Sequence, residues 1–204
     1  ICGKRWNAFL ALNDVPPIQN NFQASREKAD AFPRTWVSYA WCGDCQHISI
    51  VKEKNVSFDP SYNNEQTASG IANVHHENVL SHIREACPDV GAHIVEIGCG
   101  RGELLRLLMN AGYCDVKGYD PTASDDLGGV ISAELWDKDS EDRVIDLLIL
   151  RHTLEEIEDV DRFMRNIADS GVERIYCEIT NAADLYLDRD VFSLYPECAN
   201  LFSI

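Results

Sequence analysis

The 204 residues suit one domain with an appendage, and a hydrophobic fraction of 45% is ordinary for a globular protein. A formal net charge of −16 argues against non-specific nucleic-acid binding, because a phosphate backbone would be repelled. It does not exclude an anionic small molecule, for which a few local Arg or Lys side chains suffice. No apolar run reaches membrane-spanning length and no signal-peptide pattern is visible. The eight cysteines, several within apolar strands, favour a reduced, cytoplasmic location.

Residues 1–57 are predicted to form a separate lobe. It contains the knuckle Cys42-Gly43-Asp44-Cys45, in which two thiolates stand close enough to share one tetrahedral ion. Cys2 looks like the back half of a second knuckle whose first cysteine would lie upstream of Ile1. We therefore predict a structural zinc site held by Cys2, Cys42 and Cys45, with His47 as a less favoured fourth ligand. Free buried thiols are the alternative, and a redox role is disfavoured because no thioredoxin-like βαβ pattern surrounds the knuckle.

Residues 58–90 are predicted to form a linker and a covering helix. The linker, FDPSYNNEQ, is polar and contains one tyrosine. A helix is predicted over residues 68–86, before Pro88. It carries three histidines, which at these spacings are interpreted as surface or groove residues and not as metal ligands: His75, His76 and His82.

A strand, a glycine turn, a helix and a second strand follow one another between residues 93 and 120. The apolar run Ile94-Val95-Glu96-Ile97 has strand length and β-branched character. Glycines alternate after it, and the amphipathic helix that begins there carries a leucine-rich stripe and ends at Gly112. A second strand, Val116 to Tyr119, runs into Asp120. This order predicts the first half of a nucleotide-binding α/β sheet.

The spacing of the glycines separates two classes of cofactor. A dinucleotide fingerprint, G-x-G-x-x-G, read from Gly98 needs a third glycine at the position of Glu103. The chain instead reads Glu96-x-Gly98-x-Gly100-x-Gly102, which resembles motif I of the class I S-adenosylmethionine (SAM) methyltransferases. Glycines suit this role because, without Cβ atoms, they permit positive φ and close approach of a ligand. A tight βα turn with no ligand is the disfavoured alternative.

The resemblance implies a set of cofactor-binding residues. In that family the motif I acid lies near the methionine end of SAM, the glycines pass beneath the cofactor, and an acid after the second strand binds the ribose. The helix before the first strand is expected to cover the methionine end. The predicted cofactor-binding residues are Glu96, Gly98, Cys99, Gly100, Gly102, Asp120 and Arg151.

The α/β pattern continues to the end of the chain. An apolar run of central-strand type over residues 146–150 delivers Arg151-His152-Thr153 to the carboxyl edge of the sheet, where open α/β proteins bind ligands. The other predicted elements are a third strand over residues 130–135, a helix from Val160 to Asp169 and a fifth strand over residues 174–179. The expected fold is a Rossmann-like class I methyltransferase sheet, assigned to residues 91–204. The family's sheet has seven strands, so this one is expected to be incomplete at its C-terminal side, as in a fragment that also begins at Ile1.

Four pieces of sequence sharpen the resemblance. They are FDPSYNNEQ, VEIGCGRG, RHTLE and YPECANLFS. Together with the knuckle-bearing lobe they are similar to the sugar C-methyltransferases, which act on nucleotide-linked deoxysugars and carry an N-terminal zinc-binding domain. The resemblance covers nearly the whole chain and implies methylation of a carbon beside a 4-keto group, after a base removes its proton.

The same resemblance implies candidate catalytic residues. Tyr62 matches the family's linker tyrosine, and Tyr195 and Glu197 match its Tyr-x-Glu-His segment. Cys198 stands where the family has the histidine base, and a thiol of ordinary pKa is mostly protonated at pH 7. His152 is a candidate replacement base, although packing against the cofactor or the strand end is the favoured interpretation.

Three functions are therefore carried forward. The first is SAM-dependent C-methylation of a nucleotide-linked keto-deoxysugar, and the second is O- or N-methylation of another small metabolite. The third is a SAM- or zinc-binding module without activity. The expected partner is a small-molecule acceptor, with neither nucleic acid nor membrane.

Overall fold

The computed structural model describes residues 6–18, 23–52, 69–123, 127–187 and 196–202 of the chain. The chain divides into two compact units. The first unit comprises residues 1–62, 154–161 and 179–204, and the second comprises residues 63–153 and 162–178. Among the described helices, none combines the length and the apolar character needed to cross a membrane.

The elements of the described residues are numbered in chain order. They are β1 (Trp6–Val15), α1 (Arg26–Asp30), β2 (Thr35–Cys42), β3 (Ile48–Lys52), α2 (Gly70–Ala86), β4 (Ile94–Ile97), α3 (Glu103–Asn110), β5 (Val116–Tyr119), β6 (Ile131–Ser132), β7 (Leu147–Arg151), α4 (Val160–Asp169), β8 (Ile175–Glu178), α5 (Ala182–Leu187) and β9 (Asn200–Leu201).

The first unit is built on an antiparallel sheet with the strand order β1-β2-β3-β9. Alternation along β2 buries Val37 and Tyr39 on one face, where they pack with residues from the C-terminal segment. The short strand β9 pairs with β3, so that Ser49 lies opposite Asn200. Residues near the end of the chain therefore complete the sheet that its beginning starts.

The second unit contains a parallel sheet with the strand order β6-β5-β4-β7-β8. The order reverses between β4 and β7, and ligands of open α/β sheets bind beside the carboxyl ends of strands at such a switch point. The four residues Leu147 to Leu150 of β7 are all buried, as expected for a strand covered on both faces. This topology confirms the predicted Rossmann-like fold class.

Two helices cover the strands next to the switch point. The helix α3 buries Leu104 and Leu108, and α2 buries Val79 and Ile83, in one apolar cluster with β4 and β7. Each such side chain contributes roughly 1.5–3 kcal/mol when it is fully buried. This packing fixes the glycine turn between β4 and α3.

Most predicted elements agree with the structure, and several match it residue for residue. The strands β4 and β5 and the helix α4 have the predicted bounds. The third strand, predicted over residues 130–135, is limited to Ile131–Ser132, because only these two residues pair with β5 at the edge of the sheet. The strand β9 was not predicted, since its two residues carry no periodic pattern. The division at residues 57 and 90 stays a prediction about domain organisation.

Candidate functional site

The turn after β4 contains three glycines whose backbone conformations other residues adopt only with strain. Gly98, Gly100 and Gly102 all have positive φ, at 74°, 54° and 76°. A Cβ on Gly98 would overlap the hydroxyl oxygen of Thr153, and one on Gly102 would lie 2.6 Å from Leu127 Cδ1. Packing against the protein itself therefore requires glycine at the first and third of these positions.

Gly100 differs from its two neighbours in the turn. A Cβ there would meet no described atom within 4 Å, so the space beside it is open. Its backbone N–H donates to Asp120 Oδ2 over 2.9 Å, which ties the turn to the end of β5. The open backbone beside an acid is the kind of cradle that a ligand can approach closely.

Asp120 is held rigidly at the end of β5. Its Oδ1 accepts hydrogen bonds from the backbone N–H of Thr122 at 2.8 Å and from the Thr122 hydroxyl at 2.7 Å. Its own backbone N–H donates to Ser132 of β6. A carboxylate fixed in this way beside the glycine turn can accept hydrogen bonds from vicinal hydroxyl groups of a ribose.

Glu96, inside β4, is a buried acid with an unused oxygen. Its side chain is 3% exposed, and its Oε2 has no hydrogen-bond partner within the described ranges. Burial raises the pKa of Glu96 to about 7, and the charges of Asp120, Glu103 and Glu178 add to this effect while Arg151 opposes it. A buried orphan carboxyl oxygen surrounded by acids suits a cationic group such as the ammonium of an amino acid.

Cys99, predicted to bind the cofactor, lies within the turn and is buried. Its sulfur fills the space beside Gly118, where a Cβ would lie 2.6 Å from Cys99 Sγ. Burial, together with the charges of Glu96 and Asp120, raises the pKa of this thiol far above its ordinary value. The thiol is therefore a packing group that lacks the thiolate character of a nucleophile.

A cluster of charged and imidazole side chains lies where β7 and β8 end. Arg151 Nε donates to Glu178 Oε2 over 2.7 Å. The other oxygen, Oε1, lies 2.5 Å from His75 Nε2 and 3.4 Å from His152 Nε2. Although burial opposes ionisation, hydrogen bonds from His152 and Arg151 hold the pKa of Glu178 well below its ordinary value.

The helix α2 brings a second histidine to this end of the sheet. His76 is buried, and its Nε2 lies 3.9 Å from the carboxylate of Glu103 at the start of α3. Burial lowers the pKa of His76, and the positive charge of Arg151 lowers it further. The sequence predicts a helix for these histidines, but it does not predict the pairing of His75 with Glu178, which is 103 residues away.

The predicted catalytic residues fall in different places. Tyr62 and Tyr195 lie outside the described residues. Glu197 and Cys198 belong to the first unit and are buried there, with Cys198 in the cluster formed by β2, β3 and β9. His152 belongs to the second unit, has a positive φ of 51° and stands next to Arg151. The catalytic roles of these residues stay predictions.

Part of the predicted zinc site can be located. Cys42 ends β2 and is buried, whereas Cys45 lies exposed in the turn before β3, and Cys2 falls outside the described residues. His47 Nε2 donates to Asn200 Oδ1 over 2.9 Å. In the part of the chain that the structure describes, no three His, Cys, Asp or Glu residues are grouped so that they could hold a metal ion.

Comparisons with solved structures give the following result. The chain is similar to structures of the plantazolicin methyltransferase BpumL bound to SAH and a desmethylPZN analogue. With the triazolic analogue the identity is 14% and the TM-score is 0.45, over 56% of this chain and 49% of that one. With the pentazolic analogue the values are 15% and 0.47, over 62% and 54%. The chain thus spans about half the length of these structures.

Sequence comparisons complete the assignment. No curated protein matches the chain. The model of a family described as methyltransferase domain matches residues 78–191, which is more than half of the 204 residues and runs from the middle of α2 to beyond α5. The match contains the glycine turn, Asp120, Arg151, His152 and Glu178, whereas His75 lies before its first residue. The chain therefore belongs to the methyltransferase domain family.

Proposed function

We propose that this chain binds SAM at the switch point of its parallel sheet and transfers the methyl group to a small molecule. The observation that carries the proposal is the cradle at Gly100, with open space on one side and the carboxylate of Asp120 bound to its backbone. Glu96 contributes a buried oxygen that needs a partner, and Asp120 contributes a fixed acceptor. Family membership supplies the reaction class.

The predicted cofactor residues other than Cys99 have distinct tasks in this proposal. Glu96 would hold the ammonium group of the methionine part, because a buried acid gains most from a cationic partner. Asp120 would accept hydrogen bonds from the ribose hydroxyls. The backbone from Gly98 to Gly102 would line the adenosyl moiety without side-chain obstruction. Arg151 stands beside Glu96 and is kept in place by Glu178.

SAM and the protein contribute different parts of the proposed reaction. SAM, when bound, supplies a methyl group on a positively charged sulfur, which leaves readily as neutral thioether. The chain's own task is to hold the acceptor in line with that methyl group and to remove a proton where the acceptor needs it. Orientation alone provides a large part of the rate in such transfers.

For the acceptor, we propose a carbon of a nucleotide-linked keto-deoxysugar. Support comes from the sequence resemblance to sugar C-methyltransferases, in which Tyr62, Tyr195 and Glu197 match residues of the family. Cys198 stands where the family has its histidine base, and His152 is a candidate replacement for that base. A phenolic or amine acceptor is the second candidate. It is favoured by the absence of the family's histidine at position 198, since O- and N-methylation depend less on a strong base.

We also propose structural zinc in the first unit. Cys42 ends β2 and Cys45 lies in the turn that leads to β3, which is the spacing of the two thiolates in a zinc knuckle, and Cys2 would add a third. Elemental analysis of the reduced protein should find about one zinc per chain. Protein purified without chelators that contains no zinc would refute this part of the proposal.

Calorimetry and a methylation assay test the main proposal. We expect SAM and its product SAH to bind, and NAD not to bind. Asp120→Asn should weaken SAH binding about tenfold or more, through the loss of a charged hydrogen-bond acceptor. Tight binding of NAD without binding of SAM would overturn the proposal.

The assay then offers SAM with three acceptors: a nucleotide-linked 4-keto-deoxysugar, a phenol and a primary amine. Mass spectrometry identifies the product, and NMR identifies the atom that gained the methyl group. A C-methylated sugar supports the first acceptor class. Methylation confined to the phenol or the amine would reject it in favour of the second.

A further inference from the structure

Two histidines approach one oxygen of Glu178, and the cofactor binding proposed above does not use this arrangement. His75 comes from α2 and His152 from the residue after β7, yet both ring Nε2 atoms face Glu178 Oε1, at 2.5 and 3.4 Å. Arg151 occupies the other oxygen. The side chains of His75 and His152 are 49% and 51% exposed, whereas that of Glu178 is only 17% exposed. The carboxylate is thus sheltered and the rings face outward.

The shared carboxylate lies next to the proposed cofactor cradle. Arg151 connects the two, because it binds Glu178 and its charge also acts on the buried Glu96. The ring of His75 stands 6.4 Å from that of His76, which in turn approaches Glu103 in the first turn of α3. His75 therefore sits at the end of the sheet where the methionine part of the cofactor is proposed to lie.

The chemistry of the pair is that of an oriented imidazole. A carboxylate oxygen can only accept, so the Nε2 of His75 must carry the hydrogen that it donates to Glu178. The neutral ring then has its unshared electron pair on Nδ1, which is the atom that can take up a proton. An ionised carboxylate behind the ring also stabilises the cation that forms after proton uptake.

We propose that His75 is the general base that deprotonates the methyl acceptor, and that Glu178 is the residue that positions its ring. This proposal rests on the proposed function. The acceptor loses its proton from oxygen, nitrogen or carbon to Nδ1 of His75. The electron pair left on the acceptor forms the bond to the methyl carbon, and the carbon–sulfur bond breaks with its electrons moving to sulfur.

The geometry favours His75 over His152 as the base. Its Nε2 lies 2.5 Å from the carboxylate oxygen, against 3.4 Å for the Nε2 of His152, so Glu178 fixes the tautomer and the ring plane of His75 more firmly. The backbone N–H of His152 donates to the carbonyl oxygen of Glu178 at 2.9 Å. His152 therefore pairs through its backbone with the end of β8, whereas His75 belongs to the helix α2. Besides Glu178 and His152, the ring of His76 lies near His75, and the charges of Arg151 and Glu103 act on His76.

The first experiment needs no acceptor. Nitrogen-15 NMR of the histidine rings, with and without SAH, should find neutral His75 as the Nε2–H tautomer in the wild-type chain. Glu178→Gln should turn it into a mixture of the two tautomers, because the amide can either donate or accept. His82, exposed on the same helix, is the internal control and should not change. A His75 ring that carries its hydrogen on Nδ1 would overturn the proposal.

The second experiment measures the rate of methylation against pH, with the acceptor that the three-acceptor assay shows to be methylated. His75→Ala should lower kcat/KM by about 100-fold or more and abolish its decline at acid pH, while SAH still binds. Free imidazole should restore part of the rate, since the exposed ring leaves an accessible space. His82→Ala should behave as the wild type, and His152→Ala should keep the decline at acid pH.

The outcomes separate this proposal from the one on which it rests. If the wild-type chain does not bind SAH, the proposed function fails and the base assignment fails with it. If SAH binds and His75→Ala retains the wild-type rate and pH profile, only the base assignment fails. A loss of the acid decline in His152→Ala alone would transfer the role to that residue.

Discussion

At the scale of single residues, the most unusual feature is the buried carboxyl group of Glu96, which lies within a parallel strand. Glu96 is enclosed by β5 and β7 on either side of β4, and its Oε2 finds no partner in the described part of the chain. A buried polar atom without a partner costs about 1–3 kcal/mol of folding free energy. Such a cost is tolerated at sites that a ligand completes, which agrees with the proposed binding of an ammonium group.

The raised pKa of Glu96 predicts how the stability of the ligand-free protein depends on pH. The folded chain holds a proton on Glu96 up to pH about 7, whereas the unfolded chain loses it near the ordinary value of 4.5. Between these two pH values the folded protein therefore binds more protons than the unfolded chain. The contribution of Glu96 to the free energy of unfolding falls as pH rises through this window, and it is constant at higher pH.

Glu96→Gln isolates that contribution, because glutamine resembles the neutral acid in size and hydrogen bonding. We expect the variant to match the wild type at pH 5 and to exceed its stability by up to about 3 kcal/mol at pH 8. Urea denaturation at both pH values measures the difference, with Glu134→Gln as the control for loss of an exposed carboxylate. If the difference in stability between the variant and the wild type is the same at both pH values, the raised pKa of Glu96 is contradicted.

At the scale of elements, the unit β4–turn–α3–β5 could be predicted from the sequence almost completely. The reason is that its signals are local: an apolar run, alternating glycines, a leucine stripe and an acid lie within 28 residues, from His93 to Asp120. The structure joins Gly100 to Asp120, as a βαβ unit requires. By contrast, the pairing of His75 with Glu178 depends on how α2 lies across β8, and no local pattern encodes that position.

The glycine turn allows a test that separates folding from binding. Gly98→Ala places a methyl group on the hydroxyl of Thr153 at a positive φ, so we expect a loss of about 2–4 kcal/mol of stability. Gly100→Ala meets open space and should cost only the strain of its φ, about 1–2 kcal/mol, but should weaken SAH binding about tenfold or more. Denaturation and calorimetry measure the two effects.

Gly171 provides the matched control for this pair. It has a positive φ of 75° with open space around it, and it lies between α4 and β8 at the amino end of the strand. Gly171→Ala should therefore lower stability about as much as Gly100→Ala without changing the affinity for SAH. Equal SAH affinities of Gly100→Ala and Gly171→Ala would argue against the cradle.

At the scale of the whole molecule, the chain does not divide at one point along its length. The first unit takes residues from the start, from 154–161 and from 179–204, whereas the methyltransferase sheet uses those between. The sequence could not predict this return, because β9 is two residues long and is recognisable only through its partner β3. A buried polar side chain joins the three segments of the first unit: Asn200, in β9.

Removal of the Asn200 side chain is expected to cause a cooperative loss of structure. Its Nδ2 donates to the carbonyl groups of Leu154 and Ile157, at 3.3 and 2.6 Å, and its Oδ1 accepts from His47 at 2.9 Å. Asn200→Ala would remove these three hydrogen bonds from partners in a buried or half-buried environment. We expect a loss of about 2–4 kcal/mol in the stability of the first unit.

Amide hydrogen exchange identifies where that stability is lost. The N–H of Ile50 donates to the carbonyl of Ala199, so its exchange reports the attachment of the C-terminal segment to β3. Asn200→Ala should accelerate this exchange, and with it the exchange of β2, because the sheet opens as one cooperative unit. Ser49→Ala, which removes a single longer bond of 3.3 Å to Ala199, should have a much smaller effect. Unchanged protection of Ile50 in Asn200→Ala would mean that β3 and β9 stay paired without this side chain, and that the backbone ladder alone holds the three segments together.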